Sequence, residues 1–232
     1  MIEASQRPVE RHPLKPFLPE GCRLLMLGSF PPERRRWSME FFYPNLQNDM
    51  WRIVGYLATG DKMHFLEPGG RRFDRERIEA FCRERGIALY DTAVEVIRLK
   101  DNASDASLQV VREVDLGTLL ARIPACRAVV TTGQKATDTL RAITGCGEPA
   151  VGECVPMPFA GRDLTLWRLV AGLPASRGVE GGVLPQSVLR ERDSLTLGRK
   201  EPAGQTKKIG CRLCTAFKKG LSLLYKLYNI LF

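Results

Sequence analysis

The sequence predicts an α/β protein: a three-layer α/β/α domain with a central, mostly parallel four-stranded sheet. Three observations lead there. Leu24–Leu27, Gly86–Asp91 and Ala128–Thr132 are short, nearly continuous apolar runs. Runs of that kind suit strands buried on both faces, the situation of a parallel sheet, whereas a half-solvated strand alternates polar and apolar residues. Each run is closed by a Gly or an Asp, and the helix-type stretches Asp49–Leu57, Asp74–Arg85, Val114–Ile123 and Ala136–Thr144 lie between and after the runs. Finally, 232 residues with 44% apolar content are enough to build one ordinary globular core.

Residues 1–20 read as an extended N-terminal arm, because the pairs Arg7-Pro8, His12-Pro13, Lys15-Pro16 and Leu18-Pro19 favour extended backbone. Arg23–Leu27 is the first strand, and Asp49–Leu57 begins a helix. Asp74–Arg85 is a second helix. Ile78, Phe81 and Cys82 form its apolar stripe, Asp74 caps its start and Gly86 follows its end. Gly86–Asp91 is the second strand, running into Thr92–Arg98 and then a polar loop, Leu99–Leu108. Val114–Ile123 reads as a helix, Ala128–Thr132 as the third strand and Ala136–Thr144 as the helix after it. Val151–Met157 and Asp163–Leu169 make the last strand region, Thr165–Leu169 being its better part.

The stretch that organises the chain is Leu24–Trp51. Its strand ends at Gly28 and is followed by Ser29-Phe30-Pro31-Pro32. Two prolines forbid both a longer strand and an immediate helix. A rigid loop therefore leaves the carboxyl end of a central strand, the edge where open α/β sheets bind ligands. The loop continues with Arg34-Arg35-Arg36, then Trp37, Phe41, Phe42 and Tyr43, then Pro44 and the amide-bearing Asn45-Leu46-Gln47-Asn48. Arginines, stacking rings and amides suit a flat, hydrogen-bonding ligand on an anionic backbone, such as a nucleobase on a nucleic acid. The same rings equally suit a loop packed on the core beneath it.

These residues resemble the first motif of the uracil-DNA glycosylase superfamily. The match is Gly28, Ser29, Pro31, Phe42, Tyr43, Pro44, Asn48 and Trp51, and it looks closest to the hypoxanthine/uracil branch, with a likeness to the mismatch-specific enzymes. Three residues separate Pro44 from Asn48 where that pattern has one, and Met50 stands in place of the usual Phe. The segment Gly86–Leu108 is similar to the same branch. The resemblance covers about residues 20–170 and implies a DNA glycosylase that removes uracil or hypoxanthine, with no metal and no diffusible cofactor. Its expected partner is DNA containing a deaminated base, bound by a monomer.

The resemblance also implies site roles. Gly28, Ser29, Phe30, Pro31, Phe42 and Tyr43 would bind the flipped base, stacked on Phe42 or Tyr43 with Phe30 as the alternative. Asn48 would supply a catalytic amide, although Asn there also suits a helix N-cap. Enzymes of the superfamily carry Asp or Asn two residues after the motif glycine to activate water. Here that residue is Phe30, as in the hypoxanthine/uracil branch, so the work falls to Asn48 or to Asp105, itself equally a solvated loop residue. Neither His12 nor His64 matches a catalytic position. The second motif, a groove-inserting loop, is nearest matched by Leu173-Pro174-Ala175-Ser176-Arg177, which makes Pro174, Ser176 and Arg177 DNA contacts together with Arg34, Arg35 and Arg36.

Gly133-Gln134-Lys135, between a strand and a helix, is an anion site built on backbone N–H groups and Lys135, or a purely structural turn. Lys135 there would join the DNA contacts, and the turn supports another reading, a nucleotide-binding α/β protein; the displaced second motif and the odd tail support a further one, a non-catalytic nucleic-acid-binding remnant of the glycosylase fold. The charge is uneven. Residues 1–169 hold 24 basic and 22 acidic side chains, whereas residues 170–232 hold 11 and 4, so most of the net +9 lies in the tail. Residues 171–232 are an atypical basic tail that reads as disordered or frame-shifted text. Its end, Lys207–Phe232, is basic and amphipathic, suited to a membrane surface, to nucleic acid or to neither. Cys211-x-x-Cys214 has no second pair at zinc spacing. Seven scattered cysteines, no apolar leader and no run of ~20 apolar residues imply a cytoplasmic protein with reduced thiols and no need of a membrane.

Overall fold

The computed structural model describes residues 7–99 and 107–169. In chain order the strands are β1 (Val9–Arg11), β2 (Leu24–Gly28), β3 (Ile87–Asp91), β4 (Ala93–Arg98), β5 (Leu108–Glu113), β6 (Ala128–Thr132), β7 (Cys154–Phe159) and β8 (Arg162–Leu169). The helices are α1 (Met50–Thr59), α2 (Arg75–Arg85), α3 (Leu116–Ala121) and α4 (Gln134–Thr144). The central sheet runs β3-β2-β6-β8-β7, and its first four strands are parallel. Every residue of β2 and β3 is buried, so the sheet is covered on both faces, as wholly apolar strands require.

The α/β class and the mostly parallel sheet are as expected, but the sheet has five strands rather than four. The last strand region is two strands, β7 and β8, folded back on each other as an antiparallel hairpin. Ala160 and Gly161 turn that hairpin with φ of 50° and 72°, the doubly positive conformation that a two-residue hairpin needs. Ala-Gly is a weak written signal for such a turn, which is why the two strands read as one region. Pro156 and Pro158 lie on β7, the outer strand, where a missing N–H leaves a ladder bond unmade at little cost.

A second sheet, β1-β4-β5, is antiparallel and was not legible as a unit. Thr92 N–H donates to the Gly28 carbonyl at 2.8 Å and Ala93 N–H to the Ser29 carbonyl at 3.1 Å. These bonds swing the chain out of β3 and into the second sheet. The arm is tied down by the same geometry. β1 pairs with β4, and Phe17 and Leu89 exchange backbone bonds of 3.0 and 2.9 Å.

Helix ends follow the written signals. Asp74 accepts from Arg77 N–H at 3.0 Å and Gly86 closes α2 with φ 65°. α3 is shorter than expected. Val114 N–H is taken by the Thr92 carbonyl, and Asp115 is the cap, accepting from Thr118 N–H at 2.9 Å. Among the described residues no helix is long and apolar enough to cross a membrane, and the five described cysteines are free thiols. The tail, residues 171–232, lies outside the described residues.

Trp51 is the pivot between α1 and the loop before it. It is 1% exposed, and its indole N–H donates to the Phe42 carbonyl at 2.9 Å. Trp51→Ala should therefore cost about 3–5 kcal/mol, measured by urea unfolding. A cost within about 0.5 kcal/mol, as at a surface position, would contradict this packing.

Candidate functional site

β2, β3, β6 and β8 are parallel, so their carboxyl ends lie along one edge. The edge carries Gly28, Asp91, Thr132 and Leu169 as the last residues of those strands. β2 and β3 stop level with each other, with Gly28 opposite Asp91. The approach is close, because a Cβ on Gly28 would stand 2.3 Å from Asp91 Oδ1 and 3.7 Å from the Tyr43 ring. Gly28 is thus a steric requirement of the carboxylate beside it.

Tyr43 crosses this edge with φ 52°, in the left-handed region that a residue with a side chain seldom adopts. Strain of this kind costs on the order of 1–3 kcal/mol and persists only where surrounding contacts over-determine it. Here the Tyr43 hydroxyl and Thr132 Oγ1 are 3.0 Å apart, and the ring stacks edge-on to Trp51 at 6.1 Å between centroids. The loop is closed below by Ser38, whose N–H and hydroxyl both donate to the Pro44 carbonyl at 2.9 and 2.8 Å.

The aromatic run divides between core and edge. Phe42 is 4% exposed and packs on Phe41 and Tyr90, so it is a core ring and not an available stacking surface. Its burial is the same reading that aromatic clusters invite by default. Phe30 is 8% exposed. It lies edge-on to His12 and against Ala93, Val96 and Leu108. Pro31 is buried, its carbonyl accepting from Arg98 at 3.2 Å. Ser29 is buried beside Gly28, and half-buried Tyr43 is the ring left at the edge.

Asn48 sits one residue before the N-cap of α1, and its Oδ1 accepts from Met50 N–H at 2.9 Å. The oxygen therefore does the capping work, while Nδ2 has no protein hydrogen-bond partner among the described residues. In this half-buried amide the oxygen already accepts one bond and Nδ2 is left to donate.

Arg34, Arg35 and Arg36 form one 3-10 turn on the outside of the loop. Arg34 pairs with Glu40 and stacks over Trp37 at 4.1 Å, and Arg35 pairs with Glu33. Exposed pairs of this kind are worth about 0–1 kcal/mol, so a phosphate can displace the carboxylates. Lys135 is half-buried in the first turn of α4 on the same edge. A carboxylate already occupies that turn. Glu148 accepts from Gln134 at 3.1 Å, and Arg141 and Arg168 bind it at 3.2 and 2.6 Å. The Gln134 bond, with those two guanidiniums, holds the Glu148 carboxyl below the usual carboxylate range. These bonds to Glu148 come from side chains alone. Asp105, Pro174, Ser176 and Arg177 lie outside the described residues, and no group of three or more metal-ligating side chains occurs among the described ones.

One feature of this edge was missed in the sequence. His12, from the arm, reaches the strand edge and hydrogen-bonds Asp91 Oδ2 through Nε2 at 2.8 Å. Both side chains are nearly enclosed, 2% and 9% exposed. The available signal was Asp91 itself: a carboxylate ending a wholly buried strand needs a partner. Nothing in the sequence said which one. An open cavity of about 690 Å³ lies behind this pair, between the arm, β5 and α3, with Arg11, Arg112 and Arg122 among its lining residues. Glu95 holds both Arg11 and Arg112, at 3.3 and 2.9 Å, which removes most of its cationic character.

No protein-family model matches this chain, and no curated protein does. Among solved structures, it is similar to the solution NMR structure of a candidate uracil DNA glycosylase from Methanosarcina acetivorans. The identity is 20%, the TM-score 0.47, and the match covers 75% of this chain and 91% of that one. That overlap is too loose to assign an activity or a substrate.

The close approach of Gly28 and Asp91 has a measurable signature. Gly28→Ala should destabilise the protein by about 1–3 kcal/mol, the cost of overpacking. Most of that cost should vanish in an Asp91→Ala background, because contacting residues are non-additive. Equal costs in both backgrounds, read by urea unfolding, would show that the two groups do not meet.

Proposed function

We propose that this protein is a DNA glycosylase that hydrolyses the N-glycosidic bond of a deaminated base, uracil or hypoxanthine, flipped out of DNA. The observation that carries the reading is the Asn48 amide, whose oxygen caps α1 and leaves Nδ2 to donate, taken with Tyr43, which holds a positive φ and meets Thr132 at the carboxyl end of β6. Of the residues that resemble the glycosylase motif, Ser29–Pro31 directly follow the end of β2, and Tyr43 meets Thr132 at the end of β6.

Cleavage passes through an oxocarbenium-like sugar and leaves a base anion. A fixed N–H donor aimed at the departing carbonyl stabilises that charge as it develops. Asn48 Nδ2 is such a donor, and Tyr43 is the ring against which the flipped base stacks. Arg34, Arg35 and Arg36 meet the phosphate backbone beside the site, fixing position without reading sequence. The reading needs no cofactor and no membrane, and a cytoplasmic monomer is sufficient for it.

A specific observation keeps a second reading in view, a non-catalytic nucleic-acid-binding protein of this fold. Phe42 is buried in the core, and Phe30, no acid or amide, stands at the usual water-activating position. That reading predicts salt-sensitive DNA binding with no base release.

Asn48→Asp tests the catalytic role without disturbing the helix. The new carboxylate keeps an oxygen to accept from Met50 N–H and loses the amide donor, so stability should stay within the ~0.5–2 kcal/mol that a cap is worth. Base release from a uracil- or hypoxanthine-containing oligonucleotide should fall about 100-fold or more, the cost of an oxyanion donor. Single-turnover cleavage and thermal melting of the same variant check both parts. Full cleavage by a folded Asn48→Asp protein would leave Asn48 as a cap alone.

A further inference from the structure

The glycosylase reading leaves a gap, since Phe30 stands where a water-activating group would follow β2, and the loop's carboxylates Glu33 and Glu40 are paired with Arg35 and Arg34. The geometry points to Asp91 as that group, with His12 as the residue that positions it; we infer this on the basis of the glycosylase reading. Three features of the edge support it.

Asp91 has two unlike oxygens. Oδ2 is bound by His12 Nε2 at 2.8 Å, whereas Oδ1 makes no hydrogen bond among the described residues and lies over the end of β2, against Gly28. Gly28 leads directly into Ser29 and the loop that would hold the base. An acceptor oxygen is thus held beside the reacting centre by a partner on its other side, the arrangement in which a base is oriented by a second group.

The His12 ring is fixed on every side. It lies 4.8 Å from the Tyr90 ring and 5.4 Å from Phe30, and Phe42 is 6.3 Å away. Only the ring nitrogens face polar groups. Nε2 donates to Asp91. Nδ1 is 3.2 Å from the Leu14 N–H and 2.9 Å from the Leu14 carbonyl. A neutral ring accepts from that N–H, and a doubly protonated ring donates to that carbonyl. The arm therefore offers His12 Nδ1 both a backbone donor and a backbone acceptor.

The step balances as follows. Water oxygen bonds to C1′ of the deoxyribose and gives one proton to Asp91 Oδ1. The C1′–N bond breaks, and its electron pair leaves with the base, stabilised as an anion by Asn48. The proton held by the Asp91–His12 pair then passes to the base or to solvent, which restores the carboxylate. No oxidant, reductant or metal is consumed.

The test is single-turnover base release at saturating enzyme, with DNA affinity measured in parallel. Asp91→Asn should release base about 100-fold or more slowly, within the 10²–10⁴ range of a general base. Its DNA affinity should stay within about threefold, because phosphate contacts set affinity. His12→Phe, which keeps the ring packing, should also slow release. His12→Gln, whose amide can still donate to Asp91, should recover much of the lost rate. A purely structural histidine would not show that recovery at equal melting temperature. Cleavage by Asp91→Asn within about threefold of wild type would overturn this inference and leave the glycosylase reading intact. If Asp91→Asn does not fold, equal release by wild type and His12→Phe overturns it. A wild-type protein that binds DNA but releases no base overturns the glycosylase reading, and this inference with it.

Discussion

The level register of β2 and β3 is the constraint on which the rest of the site depends. Parallel pairing sets Gly28 opposite Asp91, and the two strands stop together. A slip of one residue would turn Asp91 to the other face and Tyr90 toward the loop, because successive side chains alternate. The slip is opposed by Asp91, the one charged residue of the two strands, which would lose His12 and lie unpartnered in a buried setting.

Burial also decides what the aromatic loop does. Phe41 and Phe42 go into the core, Trp51 follows and holds the Phe42 carbonyl, and the loop is drawn tight over the sheet. Tyr43 then has to turn with a positive φ to reach Thr132. The rings that looked like a stacking platform are mostly the anchor of the platform. Tyr43 and the Asn48 amide are left at the surface because their neighbours are consumed by packing. Tyr43 carries its strain at the carboxyl end of the sheet, against Thr132.

The central strands were legible because their text is one-dimensional. Continuous apolar runs ending in Gly or Asp have few other structural outcomes, and Asp74 with Gly86 marks α2 unambiguously. The second sheet was not legible, because β1 is three residues long and β5 is largely exposed, so neither shows a burial pattern. The β7–β8 hairpin was hidden by prolines and an Ala-Gly turn. In the candidate site, Gly28, Ser29, Tyr43 and Asn48 were named through their resemblance to the glycosylase motif. His12 was not, since its contact with Asp91 spans 79 residues and arises only when the arm adds a strand to β4. Long-range polar pairs leave no periodic trace in a sequence. The buried end of β3 showed that Asp91 needed a partner, and only the fold showed which one.

The central claim is that the carboxyl edge of β2 and β3 receives a flipped base. The most direct measurement is NMR chemical-shift mapping of the full chain with a uracil-containing oligonucleotide, against the same oligonucleotide carrying thymine. Shifts specific to uracil are expected at Gly28–Pro31, at Tyr43, at the Asn48 side-chain amide and at Asp91. Uracil-specific shifts confined to the Gln134–Lys135 turn or to the cavity lined by Arg112 and Arg122, with the β2–β3 edge unmoved, would contradict it.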